Sequence, residues 1–99
     1  MYNSTTIFLY SPDNNKWLVE ERHINFNEVI LLIEEGQILD IIDHPNQDKY
    51  PGQMIYVLPI NDYVYFVPFK IIDDKTIYLK TIFANRKATK HYRKGKYYN

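Results

Sequence analysis

Apolar and polar positions alternate in Thr6-Ile7-Phe8-Leu9-Tyr10, which predicts a short first strand. Ser11-Pro12-Asp13 then supplies a helix start: a serine N-cap, a proline at the first helical position and an acid in the first turn. A helix is predicted from about Pro12 to Arg22. Asn25, with Glu28 at capping-box spacing, opens a second one, and Phe26, Val29, Ile30 and Ile33 recur on a single helical face. Gly36 closes it as a left-handed C-terminal residue.

Beyond Gly36 the period becomes strand-like and predicts strands over Ile38 to His44, Gln53 to Ile60, Tyr63 to Lys70 and Thr76 to Phe83. Asn61-Asp62 and Asp73-Asp74 tolerate positive φ and sit where tight turns are needed, so the last three strands form an antiparallel meander. Pro59 and Pro68 cannot donate to a ladder, and a local irregularity is expected at each. In the last strand Ile77, Leu79, Thr81 and Phe83 should meet the helices, while Tyr78, Lys80 and Ile82 face outward on the side of a concave sheet surface. Asn85 can cap a short basic helix through Arg86, Lys87 and Tyr92.

The expected fold is α+β, in the order β-α-α-β-β-β-β, with two N-terminal helices packed on an antiparallel sheet and a short C-terminal basic helix. A single domain is expected over residues 1–94, with 95–99 as a flexible basic tail. Several small α+β folds share this order, so the pattern alone does not choose among them.

Composition narrows the choice. Ninety-nine residues suit one domain with one core, and the absence of cysteine excludes disulfides and thiolate metal sites. The apolar run Ile7 to Tyr10 is too short for a signal sequence or a membrane span, so a cytoplasmic, unanchored protein is expected. A formal net charge of zero hides an asymmetry. Residues 1–74 hold all twelve acids against Lys16, Arg22, Lys49 and Lys70, whereas residues 75–99 hold eight bases and no acid. A basic end with His91, Tyr92, Tyr97 and Tyr98 among its charges suits a polyphosphate ligand, because cations neutralise phosphates and flat rings stack on unpaired bases. The competing reading is a solvated tail.

Three blocks carry a family resemblance. Asn15 to Val29 (NKWLVEERHINFNEV) resembles the helix, loop and helix opening of BrnT-like toxins, with their "I-S-F-E-E" type element. Leu39 to Pro51 (LDIIDHPNQDKYP) is similar to the strand and loop of one branch of that family. Ile77 to Ile82, followed by Arg86-Lys87-Ala88-Thr89-Lys90, is similar to its closing strand and "R-K-A-T" signature. The first strand departs from the family's aromatic residue followed by Asp, reading Tyr10-Ser11-Pro12-Asp13 instead, and the basic, tyrosine-rich extension past Tyr92 is additional. The resemblance implies a toxin of a type II toxin-antitoxin system within the RelE-like superfamily, neutralised by a ribbon-helix-helix antitoxin and meeting operator DNA only through it. It also implies a metal-independent, cofactor-free endoribonuclease that inhibits translation by cutting RNA, with dependence on the ribosome left open.

Attack of a ribose 2'-hydroxyl on its own phosphate needs a base, cations on the phosphorane and a proton donor for the leaving oxygen. Lys80 and Arg86 are placed to be the cations, with Lys87 assisting; for Arg86 the competing role is a surface salt bridge. His44, ending a strand beside a Pro-Asn-Gln loop, is the proton-transfer candidate; equally, it is a turn histidine bonding a backbone carbonyl. Lys49, Tyr50, Lys90, His91, Tyr92 and Arg93 are the candidate RNA contacts. His23 belongs to the interhelix turn, and Tyr56, Tyr63, Tyr65 and Tyr78 to half-buried strand positions. The histidines and acids lack ligand spacing for a metal. A function of another class competes with catalysis: a non-catalytic module that binds RNA or an acidic antitoxin segment.

Overall fold

The computed structural model describes residues 5–92. In it the Ser11 side chain accepts from the Asn14 N–H and the Asn25 side chain from the Glu28 N–H, so both helices begin at their expected caps. These are α1 (Pro12–Arg22) and α2 (Phe26–Glu34). His23 ends α1 in the left-handed region at φ 57°, its N–H shared by the Leu18 and Val19 carbonyls, a capping role. Gly36 is also left-handed, at φ 75°.

The helices are held differently. α2 buries Phe26, Val29 and Ile33, while α1 buries Leu18 alone. Polar bonds tie α1 down instead: Asn15 Oδ1 accepts from the Phe26 N–H at 2.7 Å, Asn14 Nδ2 donates to the Lys80 carbonyl at 2.7 Å, and Arg22 Nη1 donates to the Ile82 carbonyl at 2.8 Å.

The sheet contains β1 (Ile7–Leu9), β2 (Asp40–Asp43), β3 (Met54–Ile60), β4 (Tyr63–Asp73), β5 (Thr76–Leu79) and β6 (Phe83–Ala84). Their order is β1-β5-β4-β3-β2, with β6 also beside β4, and the chain closes with α3 (Arg86–Tyr92). The α+β class holds, but the sheet is mixed rather than antiparallel, because β1 runs parallel to β5 with Ile7 opposite Thr76. Tight turns impose antiparallel pairing on β3, β4 and β5. No such turn joins β1 to its neighbour.

The expected last strand divides into β5 and β6 at Lys80–Ile82. Ile77 and Leu79 pack with the core as expected, yet Ile82, expected outward, is fully buried, while Thr81 and Phe83 are only half-buried. The alternation is reset because the carbonyls of Lys80 and Ile82 leave the ladder for Asn14 and Arg22.

The prolines behave unequally. Pro59 stays in register opposite Val64, and the β2 ladder ends at Asp40 opposite Val57, short of it, so no bond awaits the missing N–H. Pro68 keeps register with Ile55, and its carbonyl accepts the Lys80 N–H at 2.8 Å where the next strand stops. The irregularity expected at each proline does not occur as a register shift, and the shift that β4 does show lies between Ile71 and Asp73, beside the turn into β5. The hairpins differ too. Asn61 and Asp62 have φ of 50° and 69°, as expected, whereas Asp73-Asp74 turns without positive φ, Asp73 Oδ1 accepting from the Lys75 N–H at 2.9 Å. That bond, with help from the Thr76 side chain, holds the Asp73 carboxyl below its ordinary range.

Leu18, Phe26, Val29 and Ile33 meet Tyr56, Leu58, Val67, Phe69, Leu79 and Ile82 in the main core. Ile55, Val57 and Val64, on the opposite pleat, are equally buried but lie outside that cluster. The second face is therefore not the bare concave surface anticipated; its exposed residues lie toward Lys70 and Lys80. Among the described residues no helix is long and apolar enough to cross a membrane.

Candidate functional site

Asn85 starts α3 as expected: its Oδ1 accepts from the Ala88 N–H at 2.8 Å and its carbonyl from the Thr89 N–H at 2.9 Å. Thr89 is the buried polar residue of this end. Its hydroxyl donates to the Asn85 carbonyl at 2.7 Å and accepts from the Val64 N–H at 2.8 Å, serving a β4 donor just past the end of β6. Half of the Arg-Lys-Ala-Thr tetrad is thus structural, while Arg86 and Lys87 are exposed.

Arg86 lines an open groove of about 300 Å³ with Tyr63, Tyr65 and Ala84. The pairing of Tyr65 with Ala84 brings these together, since it carries the chain out of β6 beside the start of β4. A guanidinium and two phenols around one groove offer charge for a phosphate, rings for stacking and hydroxyls that donate or accept. Lys90 and His91 are exposed further along α3, where the His91 and Tyr92 rings meet edge to face at 5.2 Å. Arg93 and the tail expected at 95–99 lie outside the described residues.

His44, Lys49 and Tyr50 form a second group, in the loop between β2 and β3. The loop closes on itself: Gln47 Nε2 donates to the His44 and Gln53 carbonyls at 2.8 and 3.1 Å, and Gln47 Oε1 accepts from the Gly52 N–H at 2.9 Å. His44 has a turn role, but Nδ1 accepts the Asn46 N–H at 3.1 Å instead of donating to a carbonyl, which leaves the proton of the neutral ring on Nε2. Its ring lies 4.4 Å from that of Tyr50, and Lys49 Nζ stands 5.4 Å over Tyr50. Lys80 is elsewhere again, on the pleat opposite Leu79, with Nζ 5.3 Å over the Tyr78 ring.

The four catalytic candidates therefore divide. Arg86 and Lys87 are neighbours. By register His44 continues the row of Lys70 and Arg86 that of Tyr63, which puts them more than about 20 Å apart at ~3.3 Å per residue. Lys80, opposite Pro68, is separated from Arg86 by roughly 16 Å along the strand on the same scale. Sequence reasoning assigned Tyr63 and Tyr65 to the sheet and passed over their place beside Arg86, because the β4–β6 pairing that joins them has no local signal. Among the described residues no three of His, Asp and Glu gather as a metal would require.

Comparison of the chain with protein-family models, with curated proteins and with solved structures gives no match.

Proposed function

We propose that this chain is a ribonuclease that cuts RNA without a metal, with the Arg86 groove as its reaction site. More particularly, we read it as a BrnT-type toxin of RelE-like topology, acting in the cytoplasm and held in check by a ribbon-helix-helix antitoxin. The observation that carries the reading is the groove itself: the arginine of the Arg-Lys-Ala-Thr segment shares it with the phenols of Tyr63 and Tyr65. In the reaction the 2'-oxygen attacks phosphorus, the bond to the 5'-oxygen breaks, and the products are a 2',3'-cyclic phosphate and a 5'-hydroxyl. Arg86, with Lys87 beside it, stabilises the dianionic phosphorane. One phenol of the groove protonates the leaving oxygen, the proton of the attacking 2'-hydroxyl passes to solvent water, and the rings hold the flanking bases. His44 is too distant to share this step.

That distance favours a second reading, a non-catalytic RNA- or antitoxin-binding module. The two are separated by incubating the purified, antitoxin-free chain with total and ribosome-bound RNA in EDTA, beside Arg86→Ala and Tyr65→Phe. Cyclic-phosphate ends that fall by about 10²–10³-fold in Arg86→Ala are expected. RNA left intact by the parent chain under both conditions moves the weight to the binding module.

A further inference from the structure

We infer that the second sheet face carries a seat for single-stranded RNA, remote from the Arg86 groove, built from His44, Lys49, Tyr50, Lys70, Tyr78 and Lys80. The inference rests on the proposed function for its choice of RNA as the polyanion and extends it by giving the strand a path away from the cut. The seat follows from the ladder. The His44 N–H donates to the Gln53 carbonyl at 3.0 Å, Met54 pairs with Phe69 so that Gln53 stands beside Lys70, and Lys70 pairs with Tyr78. One row thus crosses β2, β3, β4 and β5, and three strand spacings make it roughly 14 Å long. Phe69 and Leu79 face the main core, so alternation sends Lys70 and Tyr78 to the other side, where the Lys80 ammonium joins them over the Tyr78 ring.

The same unit recurs at the two ends of this row: a tyrosine ring with a lysine ammonium over it, Lys49 on Tyr50 at 5.4 Å and Lys80 on Tyr78 at 5.3 Å. Lys70, exposed, stands beside the second ring. Each unit offers a flat surface for a base and a cation for its phosphate, and a base that stacks on the ring shifts the ammonium toward that phosphate. The loop end is preorganised, because His44 backs the Tyr50 ring and Gln47 fixes the backbone around both. Asp48 is the acid in this loop, and the three lysines outweigh it. An acidic protein segment would use the cations but leave the rings idle. RNA uses both.

The test is a binding titration of a short 2'-O-methyl oligouridine, which cannot be cut, against the full chain over a range of salt. Lys49→Gln with Lys70→Gln is expected to weaken binding roughly tenfold and to lower the slope of log K against log salt by about 1.4, at ~0.7 for each phosphate no longer neutralised. Tyr50→Ala should weaken binding about fivefold or more with the slope unchanged, and Tyr50→Phe should not. An unchanged slope in the lysine pair overturns the seat while leaving cleavage at Arg86 standing. Oligoglutamate that binds as tightly and ignores Tyr50→Ala overturns the choice of RNA. A parent chain that binds through these residues but never cuts keeps the seat and overturns the ribonuclease.

Discussion

The loop from His44 to Gln53 and the groove at Arg86 are both candidate sites, but they are made in opposite ways. The loop is local: its principal partners, His44, Asn46, Gln47, Tyr50, Gly52 and Gln53, lie within ten consecutive residues. The groove is assembled from β4, β6 and α3, and α3 is tied to β4 by a bond from the Val64 N–H to the Thr89 hydroxyl, twenty-five residues away. A local site can keep its shape while the sheet breathes, whereas an assembled site exists only when the sheet is closed.

The sharpest way to break this contrast is Thr89→Ala, which leaves the buried Val64 N–H without its acceptor. A loss of ~1–3 kcal/mol is expected in urea unfolding, together with loss of groove function, and Thr89→Ser should restore most of both. If Thr89→Ala also disturbed the His44 loop, the two sites would not be independent. Gln47→Ala is the converse change. It removes three bonds from an exposed loop, with an expected cost of ~0.5–1.5 kcal/mol and faster hydrogen exchange at Gly52, while RNA cleavage is retained. Smallest at neutral pH is Tyr56→Phe, which touches neither site. Burial pushes the Tyr56 hydroxyl up to about 12 from 10.0, so the unfolded chain loses this proton first. The contribution is fully present below pH 10.0 and is lost as pH rises through about 12. Urea midpoints measured between these limits should fall less steeply in the phenylalanine variant.

What the chain discloses in advance follows the same division. Ser11, Asn25, Gly36 and Asn85 are read correctly because a cap needs only its own few residues, and Asn61-Asp62 because a tight turn does too. The β1–β5 parallel pairing and the buried Ile82 are not legible, since each depends on a partner some sixty or more residues away. At the candidate sites, Lys49, Tyr50 and His44 could be grouped from their neighbourhood in sequence. Tyr63 and Tyr65 could not be joined to Arg86, because the pairing that brings them together belongs to the folded sheet.

The bonds from Asn14 to Lys80 and from Arg22 to Ile82 span sixty-six and sixty residues, and they hold a helix that buries just one side chain. Topology of this kind slows folding, because the loop must be closed before the bond can form. On a growing chain α1 would be made early and anchored late. Its docking cannot be completed until Ile82 has been synthesised, so the first helix is the piece that an incomplete chain leaves open to proteases and chaperones.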